Sequence, residues 1–262
     1  MNIQSNSHSL DFSEIDKPIP RDANTDGRLI YAIGDIHGCY SQLKSLLKIV
    51  TNDATQRANG RTPLLIFCGD YIDRGPHSSQ VIDSLCWLKR HRPFDLHFLK
   101  GNHEAILLRY LYNPSDSLSW IRFGGRETLS SYGVRPPDVN APLIDHVRAR
   151  DDLMTQLPVS HLLFLENLEL SVTIGDYTFV HAGIKPGVPL DKQVESDVLW
   201  IREEFLNYNS QHEKIIVHGH TWFDEYPVIE PNRIGIDTGT YETGVLSALR
   251  LEDGEIEVLH AR

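Results

Sequence analysis

Between Gly34 and Glu104, three turns carry side chains that bind hard metal ions or move protons. They are Gly34-Asp35-Ile36-His37-Gly38, Gly69-Asp70-Tyr71-Ile72-Asp73-Arg74-Gly75 and Gly101-Asn102-His103-Glu104. Two later turns add imidazoles: Val180-His181-Ala182-Gly183 and Val217-His218-Gly219-His220-Thr221. Asp and Asn offer oxygen and His offers nitrogen. No thiolate belongs to the pattern, which argues against a structural zinc site of the cysteine type. Imidazole with carboxylate suits first-row divalent ions such as Mn, Fe or Zn. Six donors are too many for one ion with open positions and fit two ions sharing a carboxylate. Two ions about 3.5–4 Å apart are a recurrent device for phosphoester cleavage, generating hydroxide near neutral pH and neutralising phosphate oxygens. Arg74, four residues after Asp70, could grip two phosphate oxygens with its forked donors. His103 could protonate a departing oxygen, with Asp73 the candidate carboxylate to hold its ring and raise its pKa.

Taken singly, an Asp or Asn beside Gly is ordinary turn chemistry. What lifts these turns above it is the elements that precede them. Leu29–Ile33, Leu64–Cys68 and Leu96–Leu99 read as short buried strands, and each runs into one of the first three turns. Helical spacing follows at Tyr40–Val50, Ser79–Lys89 and Ala105–Tyr112. Strands alternating with helices imply parallel pairing, and ligands gather at the carboxyl ends of parallel strands. The stretch 113–160, rich in Pro, Gly and Ser with helical pieces at Ser117–Phe123 and Pro142–Gln156, reads as a cap over those ends. Beyond it lie a hairpin (Leu168–Ile174, Tyr177–Val180), a helix over Val194–Phe205, a strand Ile215–Val217 and a second hairpin (Val245–Leu251, Glu255–Leu259). The pattern predicts a mixed sheet, or two sheets face to face, with helices outside. Residues 1–28 are polar and read as a flexible arm, leaving 29–262 as one domain.

The chain has 262 residues, 40% of them apolar, and a net charge of −11. That charge argues against nucleic acid as a partner but leaves room for a small phosphorylated group in a locally basic pocket. No run of eighteen apolar residues predicts a membrane span, and the amino terminus lacks the apolar core of a secretory signal. Cys39, Cys68 and Cys86 form no CxxC pair and read as reduced thiols of a cytoplasmic protein, the first two beside motif strands and buried.

The five turns, in this order from about Leu29 to Leu251, resemble the PPP-type phosphoprotein phosphatases of the calcineurin-like metallophosphoesterase superfamily. The resemblance implies a four-layer α/β/β/α sandwich of two mixed sheets flanked by helices. It implies that Asp35 and His37 bind one metal, that Asp70 bridges both, and that Asn102, His181 and His220 bind the second. Of the pair His218 and His220, it selects the latter as the ligand. It implies two divalent ions, with Mn first and Fe, Zn or Ni as the others, and a bridging hydroxide attacking phosphorus in line. Arg74 and Asn102 would contact the phosphate, and His103 with Asp73 would serve as general acid. The segment Leu199–Phe205 resembles the one carrying a second phosphate-gripping arginine, here Arg202. Phe123–Gly133 is similar to the cap of small bacterial and phage members. The implied substrate is a phosphorylated protein (Ser/Thr, possibly Tyr) or a small phosphoester. A diadenosine tetraphosphate hydrolase on the same fold is the alternative, and the string Tyr71-Ile72-Asp73-Arg74 favours the phosphomonoesterase. A non-catalytic metal-binding scaffold is the remote alternative, disfavoured because a scaffold has no physical need for His103, Asp73 and Arg74 together.

Overall fold

Strands β1 (Ile30–Ile33), β2 (Leu64–Phe67) and β3 (Asp95–Phe98) lie side by side and parallel in a computed structural model that describes residues 23–262. β1 and β2 are buried at every position, the pattern of a parallel strand covered on both faces. Their crossovers are α1 (Tyr40–Arg57) and α2 (Ser78–His91). α1 runs about two turns past the apolar spacing read from sequence: Ala54 continues the buried stripe of Leu43, Leu46 and Val50, and Asp53 pairs with Arg57 at i,i+4.

α3 spans Asn102–Tyr112, three residues earlier than the sequence reading placed it. The Glu104 carboxylate accepts the Gly101 N–H at 2.9 Å, half of a capping box. The third motif is therefore the first turn of a helix and not a loop before one.

The cap holds 3₁₀ turns at Pro114–Asp116 and Leu118–Phe123, then α4 (Gly125–Ser131) and α5 (Leu143–Gln156). α6 (Val159–Glu166) crosses its expected end and packs Phe164 against Phe98. β4 (Ser171–Ile174) and β5 (Tyr177–Val180) form the first expected hairpin, with β4 shorter than expected because Leu99 and Glu169 make only an isolated bridge. The single helix expected over Val194–Phe205 is two, α7 (Glu195–Trp200) and α8 (Glu203–Leu206), because Ile201 is extended and Arg202 non-helical. Next come β6 (Ile215–His218) and a hairpin that the sequence reading missed, β7 (Val228–Glu230) and β8 (Arg233–Gly235). α9 (Thr240–Thr243), β9 (Leu246–Glu252) and β10 (Glu255–Ala261) complete the chain.

Two mixed five-stranded sheets result, β10-β9-β1-β2-β3 and β4-β5-β6-β8-β7. Period-two alternation divides their faces. Ile30, Ala32, Leu64 and Ile66 point at Phe179, Val217 and Ile234 in an inter-sheet core. Tyr31, Ile33, Leu65 and Phe67 point the other way, into a core shared with α1, α2 and the cap's Trp120 and Leu129. Val180 and Ile216 pack under Val198, Leu199 and Phe205 of α7 and α8. The layers are helix, sheet, sheet, helix, as the resemblance implied.

Of the arm expected over 1–28, residues 1–22 lie outside the described residues. Residues 23–28 are fastened to the domain: Asn24 donates its backbone N–H and its side-chain amide to Asp176, and buried Thr25 donates to Asp253. No helix among the described residues is long and apolar enough to cross a membrane.

Candidate metal centre

Six strands run parallel in two sets of three, β1-β2-β3 and β5-β6-β8. Their carboxyl ends carry Asp35 and His37, Asp70, Asn102 and His103, His181, His218 and His220, and Asp237. Asp70 is central. Its Oδ2 lies 3.5 Å from His37 Nε2 and 3.9 Å from His103 Nε2, and its Oδ1 lies 3.5 Å from His181 Nε2. His181 Nε2 is 2.9 Å from Asn102 Oδ1 and 3.2 Å from His220 Nδ1. Two buried donor groups follow, His37–Asp70–His103 and Asp70–His181–His220, with Asp70 common to both. Backbone carbonyls orient the first-row imidazoles: His37 Nδ1 faces Ile72 O at 2.8 Å and His181 Nδ1 faces Cys68 O at 2.9 Å, so both present Nε2 to Asp70.

Asp35 sits behind the second group. Its Oδ2 accepts the His220 N–H at 3.0 Å, while its buried Oδ1 and the buried Nε2 of His220 have no partner among the described residues. Buried polar atoms are otherwise almost always satisfied. Unpartnered oxygen and nitrogen donors around a shared carboxylate fit a divalent cation. The charges agree. Burial, together with Asp237 and Asp70, pushes the Asp35 carboxyl well above its ordinary range. Burial and Asp70 raise Asp237 to about 7 and Glu104 to about 8. Burial lowers His37 to about 3 and His220 to about 2, so both imidazoles are neutral and able to ligate at neutral pH.

Glu104 fixes the second and third loops together. Its carboxylate accepts the N–H groups of Asp70, Tyr71, Ile72 and Gly101 at 3.0, 2.8, 3.3 and 2.9 Å. The backbone is forced elsewhere too: His37, Asp70, Asp73, Arg74 and His220 all have left-handed φ of 45° to 72°, a conformation that costs about 1–3 kcal/mol per residue and clusters at functional sites. Gly101 and Gly219 are obligatory for contact reasons, since a Cβ would stand 2.1 Å from Asp70 Oδ1 and 2.0 Å from Asp35 Oδ1 respectively.

Beside the metal donors, His103 Nδ1 is 2.6 Å from Asp73 Oδ2. Burial of the ring opposes protonation, but Asp70 and the bond to Asp73 outweigh it and push His103 up to about 9. The cap completes this carboxylate: Trp120 Nε1 donates to Oδ2 at 2.7 Å, and Thr128 Oγ1 donates to Oδ1 at 2.6 Å. Arg74 stacks over the Tyr241 ring at 4.4 Å and donates to its hydroxyl. The break between α7 and α8 aims Arg202 into the same cavity, where it donates to Thr221 Oγ1 at 3.0 Å. The cavity is about 500 Å³ and is lined by His37, Asp70, Asn102, His103, Arg74 and Arg202, among others.

All ten residues singled out from the sequence thus meet at one end of the sandwich, Asp35 behind the others. His218 does not join them: burial lowers it to about 3, its Nδ1 faces Gly219 O at 3.0 Å, and its ring packs edge-on against Phe205. The sequence reading placed Cys39 in the interior, yet it is half-buried, because the helix that it precedes starts at the surface. Four contributors were missed. Glu104 was quoted only as part of a motif, and Trp120 and Thr128 act from the cap across 47 and 55 residues. Asp237 had a legible signal, because Arg233–Ile236 followed by Asp237-Thr238-Gly239 repeats the strand-then-acidic-turn pattern of the first motifs.

A family model described as calcineurin-like phosphoesterase matches residues 28–239. The chain is 29% identical over 248 residues to the asymmetrical bis(5′-nucleosyl)-tetraphosphatase PrpE of Anoxybacillus flavithermus, covering 85% of this chain and 90% of that one. It is 30% identical over 241 residues to serine/threonine-protein phosphatase 2 of Salmonella typhimurium, covering 88% and 97%. A crystal structure provisionally named a diadenosine tetraphosphatase superposes with a TM-score of 0.59 at 23% identity, covering 91% and 96%, which shows a common fold.

Proposed function

We propose that this chain, which belongs to the calcineurin-like phosphoesterase family, is a metal-dependent phosphomonoesterase acting on phosphoproteins. The observation that carries the reading is the position of Asp70 between two donor groups with the His103–Asp73 pair at their edge. Two divalent ions, with Mn first and Fe, Zn or Ni as the others, would be held by Asp35 and His37 on one side, by Asn102, His181 and His220 on the other, and by Asp70 between them. When bound, such ions supply a water acidified toward neutral pH and offset charge on the phosphoryl oxygens.

The protein's own groups do the rest. Arg74, Arg202 and the Asn102 amide hold the phosphoryl oxygens in the orientation for displacement. His103 passes the proton on Nε2 to the leaving oxygen as the P–O bond breaks, while Asp73 keeps Nδ1 and the ring plane fixed. Ser117 and Ser119 line the cavity, but the residues grouped around Asp70 are ligands and acid/base groups and not an activated Ser or Cys, so this reading needs no phosphoenzyme. Residues 29–262 act as one catalytic unit, with 113–160 as its cap.

A second reading has one specific support, the likeness to PrpE, whose name assigns it a dinucleoside tetraphosphate. Metal-stripped protein reconstituted with Mn, Fe, Zn or Ni and assayed on phosphopeptides, p-nitrophenyl phosphate and diadenosine tetraphosphate separates the two. Phosphopeptide turnover should dominate; dominant cleavage of the dinucleotide would reverse the assignment.

A further inference from the structure

Next to the metal cavity is a second concavity of about 440 Å³ that contains no metal donor. The two share Arg74, Phe123 and Tyr241, which therefore form a threshold between them. On the far side stand Arg122 and Arg126 from the cap. Arg122 donates to Asn140 Oδ1 at 2.8 Å and Arg126 to the Pro137 carbonyl at 3.2 Å, both neutral acceptors. Neither guanidinium has an ion-pair partner among the described residues, and Glu127 is the one acidic side chain lining the notch. In a chain of net charge −11, this is a local basic spot beside the cavity, where an anion is drawn in against the overall field.

The notch is also held in register with the site. Arg74 N donates to the Gly124 carbonyl at 3.3 Å, and Thr128 on the next turn bonds Asp73. The distance from the phosphate-gripping Arg74 to Arg122 and Arg126 is thus set by hydrogen bonds and not by a free loop.

We infer that this notch binds an acidic side chain flanking the phosphorylated residue of an extended peptide, with Arg122 and Arg126 as its receptors. The inference rests on the phosphoprotein reading and deepens it. Phe123, 54% exposed, and Val139 offer apolar surface for a peptide side chain lying across the threshold. Glu127 opposes a multiply charged phosphate more strongly than a single carboxylate.

The test uses metal-loaded enzyme and two phosphoserine peptides, one with Asp on both sides of the phosphoserine and one with Ala there. Wild type should show a KM about fivefold lower for the acidic peptide, the scale of two exposed charge pairs, and the preference should shrink at high salt. The double variant Arg122→Ala, Arg126→Ala should erase the preference while leaving kcat and p-nitrophenyl phosphate hydrolysis unchanged. Equal KM values for the two peptides in wild type, or a preference that survives in the variant, would overturn the inference. A variant that instead raised KM only for diadenosine tetraphosphate would reassign the notch to a phosphate. Failure of wild type to hydrolyse either peptide while cleaving p-nitrophenyl phosphate would sink the phosphoprotein reading itself, and this inference with it.

Discussion

The strand-end loops hold their donors by main-chain contacts, whereas the cap meets the same cavity mainly through side chains, its one main-chain bond among the described residues running from Arg74 to the Gly124 carbonyl. In the loops, residues of one carboxyl end are locked to the next by main-chain contacts. Examples are Glu104 on four N–H groups, His37 on Ile72 O and His181 on Cys68 O. The cap offers Trp120 and Thr128 to a single carboxylate, Asp73. The difference separates two tasks. The donors around Asp70 rest on loops at the sheet ends, while the His103–Asp73 pair rests also on side chains that the cap brings in.

Breaking the loop side should have the largest effect. Asp70→Asn removes the one residue common to both donor groups. Metal content by elemental analysis should collapse and turnover should fall by more than about a hundredfold, the range already seen for outer-sphere partners alone. Retained metal would contradict the bridging role. On the acid side, His103→Asn should lower turnover by about 10²- to 10⁴-fold on alkyl phosphates and far less on p-nitrophenyl phosphate, whose leaving group needs no proton. Equal losses on both would remove the general acid from the mechanism. If no phosphoester responded at all, the scaffold alternative would replace the enzyme.

Thr128→Val sharpens the comparison because Thr128 is the cap's link to the second loop: it also accepts the Asp73 N–H at 2.9 Å. The substitution leaves Asp73 Oδ1 without its 2.6 Å donor and should reduce alkyl phosphate turnover about tenfold with metal content intact, while Thr128→Ser restores the rate. Loss of metal in Thr128→Val would show that cap and loops are not separable.

The smallest effect is a pH dependence of metal loading. Asp35 lies well above its ordinary range and Asp237 near 7 in the metal-free site, so a cation must displace their protons. For a raised carboxyl pKa, affinity is full above that pKa and falls below it, by about tenfold per pH unit for each proton displaced. Calorimetry in buffers of different ionisation enthalpy should register proton release near pH 6 to 7. Affinity that is flat from pH 6 to 8 would exclude this linkage.

The sequence made the loop side legible because a strand end fixes both the position and the direction of the residue that follows it. Asp35, Asp70, Asn102 and His181 could be found that way, whereas choosing His220 over His218 took the resemblance. The cap was legible as a segment but not in its action. Nothing local in Trp120 or Thr128 points to Asp73, because the bond exists only after the chain has folded back across some fifty residues. Arg202 lay between the two cases. A helical pattern over Val194–Phe205 hides the non-helical residue that turns it inward, and only the break between α7 and α8 reveals why it faces the cavity. Glu104 shows a third kind of omission. Its residue type was in view, but four main-chain contacts made by one carboxylate are a property of packing and not of spacing.

The two cap donors on Asp73 also bear on how such a chain can change over generations. Exchanging the cap for another, as a lineage would to reach a new substrate, would strip a buried carboxylate of Trp120 and Thr128 together. The incoming cap must bring replacement donors in the same place or the histidine loses its anchor. The His103–Asp73 pair and the segment that covers it would therefore have to change together, while the loops around Asp70 beneath them could pass unchanged from one descendant to the next.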